Sequence, residues 1–461
     1  ILPVLAFGLV AWLLRGKWLK GKFHLQVKIW LPVASLLMWV VAYSLRVQEY
    51  RAANCPDLTY GKVWTGYFEL SKSNAYKFTQ HLHRMGYVGY GLWQINNIFN
   101  SRTITDDERT EIEDYWAQQR LTNGDHGGTY AHNRGRNLIF IIIESLASDA
   151  VGMEVNGVQV TPNISKLIAD DSTAVVMRHV VAQVNHGRSS DGQFIYNTGL
   201  LPLRNNVVAK RFPAANYPSI AKALGYPSAF EVIGERYTFY NHSTTSLSYG
   251  YHKLLAAPTS QMIPDEEVFA NFLGEIKNAK TPFIAEMTTL ETHDPYLGGA
   301  DSPSAIVADL THDRRDLNYL DRVREFDQRL GHFIEQLKES GIYDQSVIVL
   351  AADHEPRKSC LSDDGFISSD IFFAALNTGA KGVEIDRTVG QVDVFPTILT
   401  IMGVSDYQYP GLGVSPLTDA VHHGAQDAFG EVYGDPDAST LQRIEQAWRL
   451  SEIMIEGRYF K

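Results

Sequence analysis

Apolar and polar positions fall in blocks along this chain. Residues 137–143 form an unbroken apolar run from Leu138 to Ile143 that ends on Glu144 and Ser145. A second run, 347–352, leads into Asp353, His354, Glu355 and Pro356. Uninterrupted runs of this length predict parallel strands buried on both faces. Further strands are predicted over 174–182, 229–233, 282–290 and 371–376, and helices over 164–169, 217–224, 316–339 and 392–402. Pro162 stands at the start of the first helix, and Gly225 and Gly341 follow the ends of the second and third. The turn at 186–191 opens another helix, which carries Phe194 and Tyr196. Strands separated by helices in this rhythm predict an α/β fold, with a mostly parallel central sheet covered by helices.

The N-terminal pattern differs. Residues 1–14 and 29–45 are uncharged, and between them stand Arg15, Lys17, Lys20, Lys22 and Lys28 with no acidic residue. Two apolar segments joined by a short basic loop predict transmembrane helices over 1–50, with the loop on the cytoplasmic side. The chain opens inside an apolar run, so a fragment of a longer membrane region is expected. The chain beyond Leu45 is then outside the cytoplasm. Residues 51–136 read as a connecting segment, with a capping box at Thr105 and Glu108 opening a helix towards Arg120. The catalytic domain is expected over 137–461.

Charge and cysteine count remove some alternatives. The net charge of −11, with no basic stripe beyond the N-terminal loop, argues against a nucleic-acid partner. Two cysteines, Cys55 and Cys360, exclude a cysteine-rich zinc site, and free thiols are expected.

Open α/β sheets carry their chemistry at the C-terminal ends of strands. Glu144, Asp353 and His354 follow two such strands. Two carboxylates and an imidazole suit Mn²⁺ or Zn²⁺, and suit Mg²⁺ less well. Ser189 and Ser190, in the Gly187-Arg188 turn, offer a hydroxyl that a metal would activate. Arg188 offers charge to a phosphoryl group. Taken alone, a serine before a helix is a cap. His293, after the strand predicted over 282–290, offers a proton or a phosphate contact.

Several motifs occur together in order: Glu144-Ser145 at a strand end, Thr161-Pro162-Asn163, Gly187-Arg188-Ser189-Ser190-Asp191, Thr292-His293-Asp294-Pro295-Tyr296, Ala352-Asp353-His354 and Gln391-Val392-Asp393. As a set they resemble the alkaline phosphatase/sulfatase superfamily, in particular its lipoteichoic acid synthase branch of membrane-anchored phosphoglycerol transferases. The resemblance implies one divalent metal, Mn²⁺ first, on Glu144, Ser189, Asp353 and His354. It also implies Ser189 as nucleophile and His293 on the substrate phosphate. The family's substrate-binding segment aligns with 230–233 and 239–242, which puts Glu231, Tyr240 and His242 towards substrate. Glu231 stands where that family has His, and His242 where it has Arg, a change that is not equivalent for gripping phosphate. Ser189 and Arg188 replace Thr and Lys. The implied function is transfer of a phosphoglycerol-type head group from a membrane phospholipid to an envelope glycan or lipid, through a phospho-serine. The implied location is a bacterial cytoplasmic membrane, multi-pass, with the catalytic domain extracytoplasmic. A phosphoethanolamine transferase is the alternative, followed by a sulfatase or phosphodiesterase and, last, a non-catalytic glycan-binding protein.

Overall fold

The computed structural model describes residues 102–460, apart from 125–128, 258–261, 297–305, 307, 308, 310 and 419–422, together with residues 41, 43–45, 47, 48, 51 and 52. The chain divides into two units, Ile1–Asn100 and Ser101–Lys461. The expected membrane helices lie almost entirely outside the described residues. Among the described residues no helix is long and apolar enough to cross a membrane.

The second unit is built on one sheet. Its strands are β1 Asn137–Ile143, β2 Val175–Val181, β3 Ser228–Arg236, β4 Lys253–Ala257, β5 Phe283–Thr288, β6 Ser346–Ala352, β7 Asp370–Leu376, β8 Val383–Ile385 and β9 Val389–Gly390. The order is β8-β2-β7-β6-β1-β5-β3-β4, with β9 beside β2. Only β7 runs against its neighbours, β2 and β6. β1 and β6 occupy the middle and are buried at every position, which is why both read as continuous apolar runs.

The principal helices are α1 Asp106–Thr122, α2 Pro162–Asp170, α3 Ser189–Thr198, α4 Ile220–Leu224, α5 His242–Tyr249, α6 Asp265–Asn278, α7 Arg314–Glu339, α8 Val394–Ile401 and α9 Ala438–Glu456. The alternation of a strand separates the two layers. On β3, Phe230 packs on Phe272 of α6, while its neighbour Glu231 meets Gln193 of α3. Phe269, Phe272, Phe326 and Phe333 bind α6 to α7 in one aromatic cluster.

The predicted strands appear within a few residues of their expected limits, and the Thr105–Glu108 capping box forms as read. The sequence reading missed β4, β8, α5, α6 and α9. α6 carried a start signal, Pro264 before Asp265, Glu266 and Glu267, and an apolar stripe at Val268, Phe269, Phe272, Leu273 and Ile276. α1, read as part of a connecting segment, packs on the body of this unit. Tyr115 Oη donates to the Leu412 carbonyl at 2.9 Å, and Gln119 Nε2 donates to it at 2.8 Å.

Candidate metal centre and active site

Register brings the first carboxylates together. β1 and β6 pair in parallel from Asn137↔Ser346 to Ile143↔Ala352. The next residue on each strand is an acid, so Glu144 and Asp353 emerge side by side although 209 positions separate them in sequence. The Asp353 amide continues the ladder to the Ile143 carbonyl at 3.0 Å. Asp353 Oδ1 then accepts the amides of Ser145 and His354, each at 2.8 Å, which fixes the carboxylate plane.

His354 completes a buried trio. Glu144, Asp353 and His354 each offer a ligand atom, all within 4.8 Å of one another. Nε2 of His354 lies 3.2 Å from Glu144 Oε1 and 3.5 Å from Asp353 Oδ2. Its Nδ1 lies 2.8 Å from the Glu355 carbonyl, which can only accept. Nδ1 therefore carries a proton, and Nε2 is the ring's coordinating atom. Burial raises the pKa of Asp353, and the charge of Glu144 adds to this. Burial acts in the same sense on Glu144, but the His354 charge outweighs it and holds Glu144 below the usual carboxylate range. Against its own burial, His354 is raised by Asp353 and Glu144. Two carboxylates, an imidazole nitrogen and an adjacent hydroxyl form a donor set that fits one divalent cation.

The hydroxyl is Ser189. Its Oγ lies 3.1 Å from Glu144 Oε2 and 3.2 Å from His354 Nε2. Ser190, the other sequence candidate, is engaged elsewhere, donating to the Gly187 carbonyl at 2.9 Å. The turn is held from inside. Asp191 Oδ2 accepts the amides of Asn185 and Gly187 at 3.0 and 2.9 Å. A Cβ on residue 187 would stand 2.1 Å from Asp191 Oδ1, so only glycine fits. Arg188 takes a left-handed φ of 41°, an uncommon conformation that the surrounding bonds sustain. Its Nη2 donates to the Glu355 carbonyl at 2.8 Å and lies 3.0 Å from His354 Nδ1. The guanidinium is thus engaged with Glu355, whose carbonyl also accepts from His354 Nδ1.

A cleft of about 400 Å³ opens beside Glu144, Ser189 and Asp353, and Gln193, Glu235, Tyr240 and His242 also line it. Tyr240 and His242, which the resemblance puts towards substrate, are thus part of its wall. Glu231 is fully buried behind the cleft and does not line it. His293 lies outside the lining too, half exposed, with Nδ1 2.5 Å from the Asp294 carbonyl. Glu235 is the residue that sequence reasoning missed. It follows Gly234 near the C-terminal end of β3, the same signal that marked Glu144. Burial pushes its pKa up to about 7. His242 Nε2 lies 3.8 Å from Glu235 Oε2, and His242 Nδ1 lies 3.7 Å from Glu231 Oε1.

Comparison with known proteins agrees with this fold. The sequence profile of the Sulfatase family matches residues 136–404. Lipoteichoic acid synthase 2 of Bacillus subtilis is 27% identical over 343 residues, covering 67% of this chain and 51% of the relative. Lipoteichoic acid synthase of Staphylococcus saprophyticus is 27% identical over 357 residues, covering 71% and 54%. The chain thus spans about half the length of these relatives. Among solved structures, the lipoteichoic acid synthase LtaP from Listeria monocytogenes superposes with a TM-score of 0.57 at 17% identity, over 74% of this chain and 97% of that one. Streptococcus pyogenes phosphoglycerol transferase GacH, in complex with sn-glycerol-1-phosphate, gives 0.54 at 16% identity, over 77% and 95%. At these identities the superpositions establish the fold.

Proposed function

The chain belongs to the Sulfatase family, and from that premise we propose that it is a metal-dependent phosphotransferase. It takes a phosphoglycerol-type head group from a membrane phospholipid and passes it to an envelope glycan or lipid. The observation that carries this reading is the convergence of Ser189 Oγ with Glu144 and His354, at 3.1 and 3.2 Å, beside a cleft. The names of the sequence relatives support the phosphoglycerol class. The N-terminal basic loop between apolar segments supports a membrane-anchored enzyme with its catalytic unit outside the cytoplasm.

Glu144, Asp353, His354 and Ser189 would hold the cation, with Mn²⁺ the first expectation. A divalent cation there lowers the pKa of the hydroxyl and offsets charge on the phosphoryl oxygens. Ser189 Oγ attacks phosphorus. A serine–phosphorus ester forms as the bond to the diacylglycerol oxygen breaks. The hydroxyl proton has an acceptor in Glu144 Oε2. Glu235, held protonated to about neutrality by burial, faces the cleft and supplies a proton to the departing alkoxide. An acceptor hydroxyl then attacks the phospho-serine and gives its proton to Glu235, while the serine–phosphorus ester breaks and Ser189 Oγ takes its proton back from Glu144. His354 is kept in orientation by the Glu355 carbonyl throughout, and Arg188 holds that carbonyl in place. His293, half exposed beside the site, remains available to a bound phosphate.

Intact-mass spectrometry of the protein after incubation with Mn²⁺ and defined phospholipids tests this. A glycerophosphoryl adduct on Ser189 is expected from phosphatidylglycerol. An adduct that persists in Ser189→Ala, or none with any lipid, would sink the proposal. One feature favours a second reading: Glu235 places a carboxyl on the head-group cleft, which suits an ammonium as well as a hydroxyl. A phosphoethanolamine adduct in the same experiment would select it.

A further inference from the structure

Behind the cleft lies a second group of acids that the proposed chemistry does not use. Glu231 of β3 and Glu286 of β5 are register partners on adjacent strands, and both are fully buried. Among the described residues neither pairs with a lysine or arginine. Two buried carboxyls without a cation are costly unless they share a proton and are well bonded. Burial and the charge of Glu231 raise the pKa of Glu286 accordingly. Tyr249, Tyr251 and His242 are the other titratable groups that face the pair.

What the pair binds is the nucleophile's helix. Gln193 Nε2 donates to Glu231 Oε1 at 2.5 Å and to Glu286 Oε1 at 2.7 Å. Asn197 Nδ2 donates to Glu286 Oε2 at 2.8 Å, and Tyr251 Oη donates to the same oxygen at 2.7 Å. Tyr251 Oη also lies 3.0 Å from Asn197 Oδ1. Ser189, Gln193 and Asn197 are spaced i, i+4 and i+8, so they lie on one stripe of α3. The first carries the hydroxyl, and the next two are bolted to the sheet. Hydrogen bonds to a charged acceptor in a dry interior are the stronger kind.

We infer that the buried Glu231–Glu286 pair is a positioning device for Ser189, holding α3 through Gln193 and Asn197 so that the serine oxygen stays beside Glu144 and His354. This rests on the phosphotransfer reading only for its activity readout. Glu231 and Glu286 are positioning residues and touch no substrate. A displacement of about 1 Å in a reacting atom lowers turnover by about 100-fold. Glu231→Ala removes one of the two acceptors of Gln193. Glu231→Gln retains the oxygen that accepts from Gln193 and places its amide where Glu231 Oε2 now has no partner.

The test compares Glu231→Ala, Glu231→Gln and Gln193→Met in the full chain, with hydrogen exchange of 189–198 measured alongside kinetics. The expected result for Glu231→Ala is a kcat lower by about 100-fold, a KM within about twofold, and faster exchange in α3. Glu231→Gln is expected to recover at least about tenfold of that loss. Gln193→Met, similar in volume, carries the same kcat test if Glu231→Ala does not fold. The inference is overturned if kcat stays within about twofold while α3 exchange accelerates. It is equally overturned if Glu231→Gln is as impaired as Glu231→Ala, with KM and melting temperature moving together. Should the unmodified chain turn over no phosphodiester, that failure belongs to the proposed function. Mn²⁺ affinity then decides this point: Glu231→Ala should weaken it by about tenfold and Glu231→Gln should restore it. Equal affinities would overturn the inference.

Discussion

The contact between Gly192 and Asp353 allows a sharp test of how α3 is placed. A Cβ on residue 192 would stand 2.3 Å from the Asp353 carbonyl oxygen, and 3.0 and 3.1 Å from its carbonyl carbon and Cα. A carbon normally approaches such an oxygen to about 3.3 Å, so Gly192→Ala demands a shift of about 1 Å. All three atoms are backbone, at the end of the central strand β6, and the Asp353 amide is bonded to β1. The strand cannot yield easily, so the helix moves and takes Ser189 with it. The bonds from Ser189 Oγ at 3.1 and 3.2 Å then stretch beyond hydrogen-bond range. The expected cost is about 100-fold in kcat, equivalent to about 2.7 kcal/mol of barrier, with about 1–3 kcal/mol of stability lost to overpacking. The control is Gly274→Ala in α6, where an added Cβ meets nothing within 4 Å. That variant should be neutral or up to about 1 kcal/mol more stable. Phosphodiester turnover at saturating donor and a thermal melt measure both. Native kcat in Gly192→Ala would refute the argument, as would an equal loss in Gly274→Ala.

Asp353→Asn keeps Oδ1 for the Ser145 and His354 amides but removes a charged ligand. Titration calorimetry with Mn²⁺ should show affinity lower by at least about 100-fold, while the melting temperature stays near native. Glu235 gives a pH prediction. Its folded pKa of about 7 lies above the ordinary 4.5, so the folded chain holds a proton that the unfolded chain has released. Stability should therefore fall as pH rises from about 4.5 to 7, by at most about 3 kcal/mol. Denaturant melts should show a shallower slope over that window in Glu235→Gln, and an unchanged slope would contradict the assignment. Asn241 takes a left-handed φ of 57° and donates to the Ala209 carbonyl at 2.8 Å. Asn241→Ala should cost about 1–2 kcal/mol locally, seen in steady-state kinetics as a raised KM with kcat less affected. Thr105→Ala removes the α1 cap and should lower stability by about 1 kcal/mol in a thermal melt.

The centre of this protein was legible because its signal is local and chemical. Short continuous apolar runs in an alternating strand–helix rhythm point to buried strands, and an acid directly after such a run falls at the end of the sheet. β1 with Glu144, and β6 with Asp353 and His354, were readable for that reason, as was the turn that opens α3. The cleft wall was not readable in the same way. Glu231 sits on an inward face of β3, where alternation sends it behind the cleft, and Glu235, four residues on, reaches the cleft beside His242. Edge strand β4 carries partly buried residues at Leu254, Leu255 and Ala256, so it lacks the continuous pattern of a central strand. α9 was missed although its start is capped by Asp437 and its buried stripe runs through Ile444, Ala447, Trp448 and Ser451. Polar residues are interleaved along it, which dilutes the stripe.

The division between α3 and the cleft loop also bears on what can vary in such an enzyme. Five successive residues of α3 meet four different demands: Ser189 faces the trio, Ser190 and Asp191 close the turn, Gly192 abuts the Asp353 backbone, and Gln193 joins the buried acid pair. A change at any one of them disturbs the others through a rigid element, so the reaction class is held by the whole segment. The segment from Glu235, near the end of β3, through Tyr240 to His242, at the start of α5, is constrained otherwise. Tyr240 and Asn241 both take left-handed φ, and the loop is tied to the neighbouring segment by Asn241 and by Lys210, whose amine lies 4.5 Å over the Tyr240 ring. None of these ties passes through Ser189, Glu144 or Asp353. Substitution at Tyr240 or Asn241 is therefore expected to alter the cleft wall while the serine and the metal-binding set stay in place.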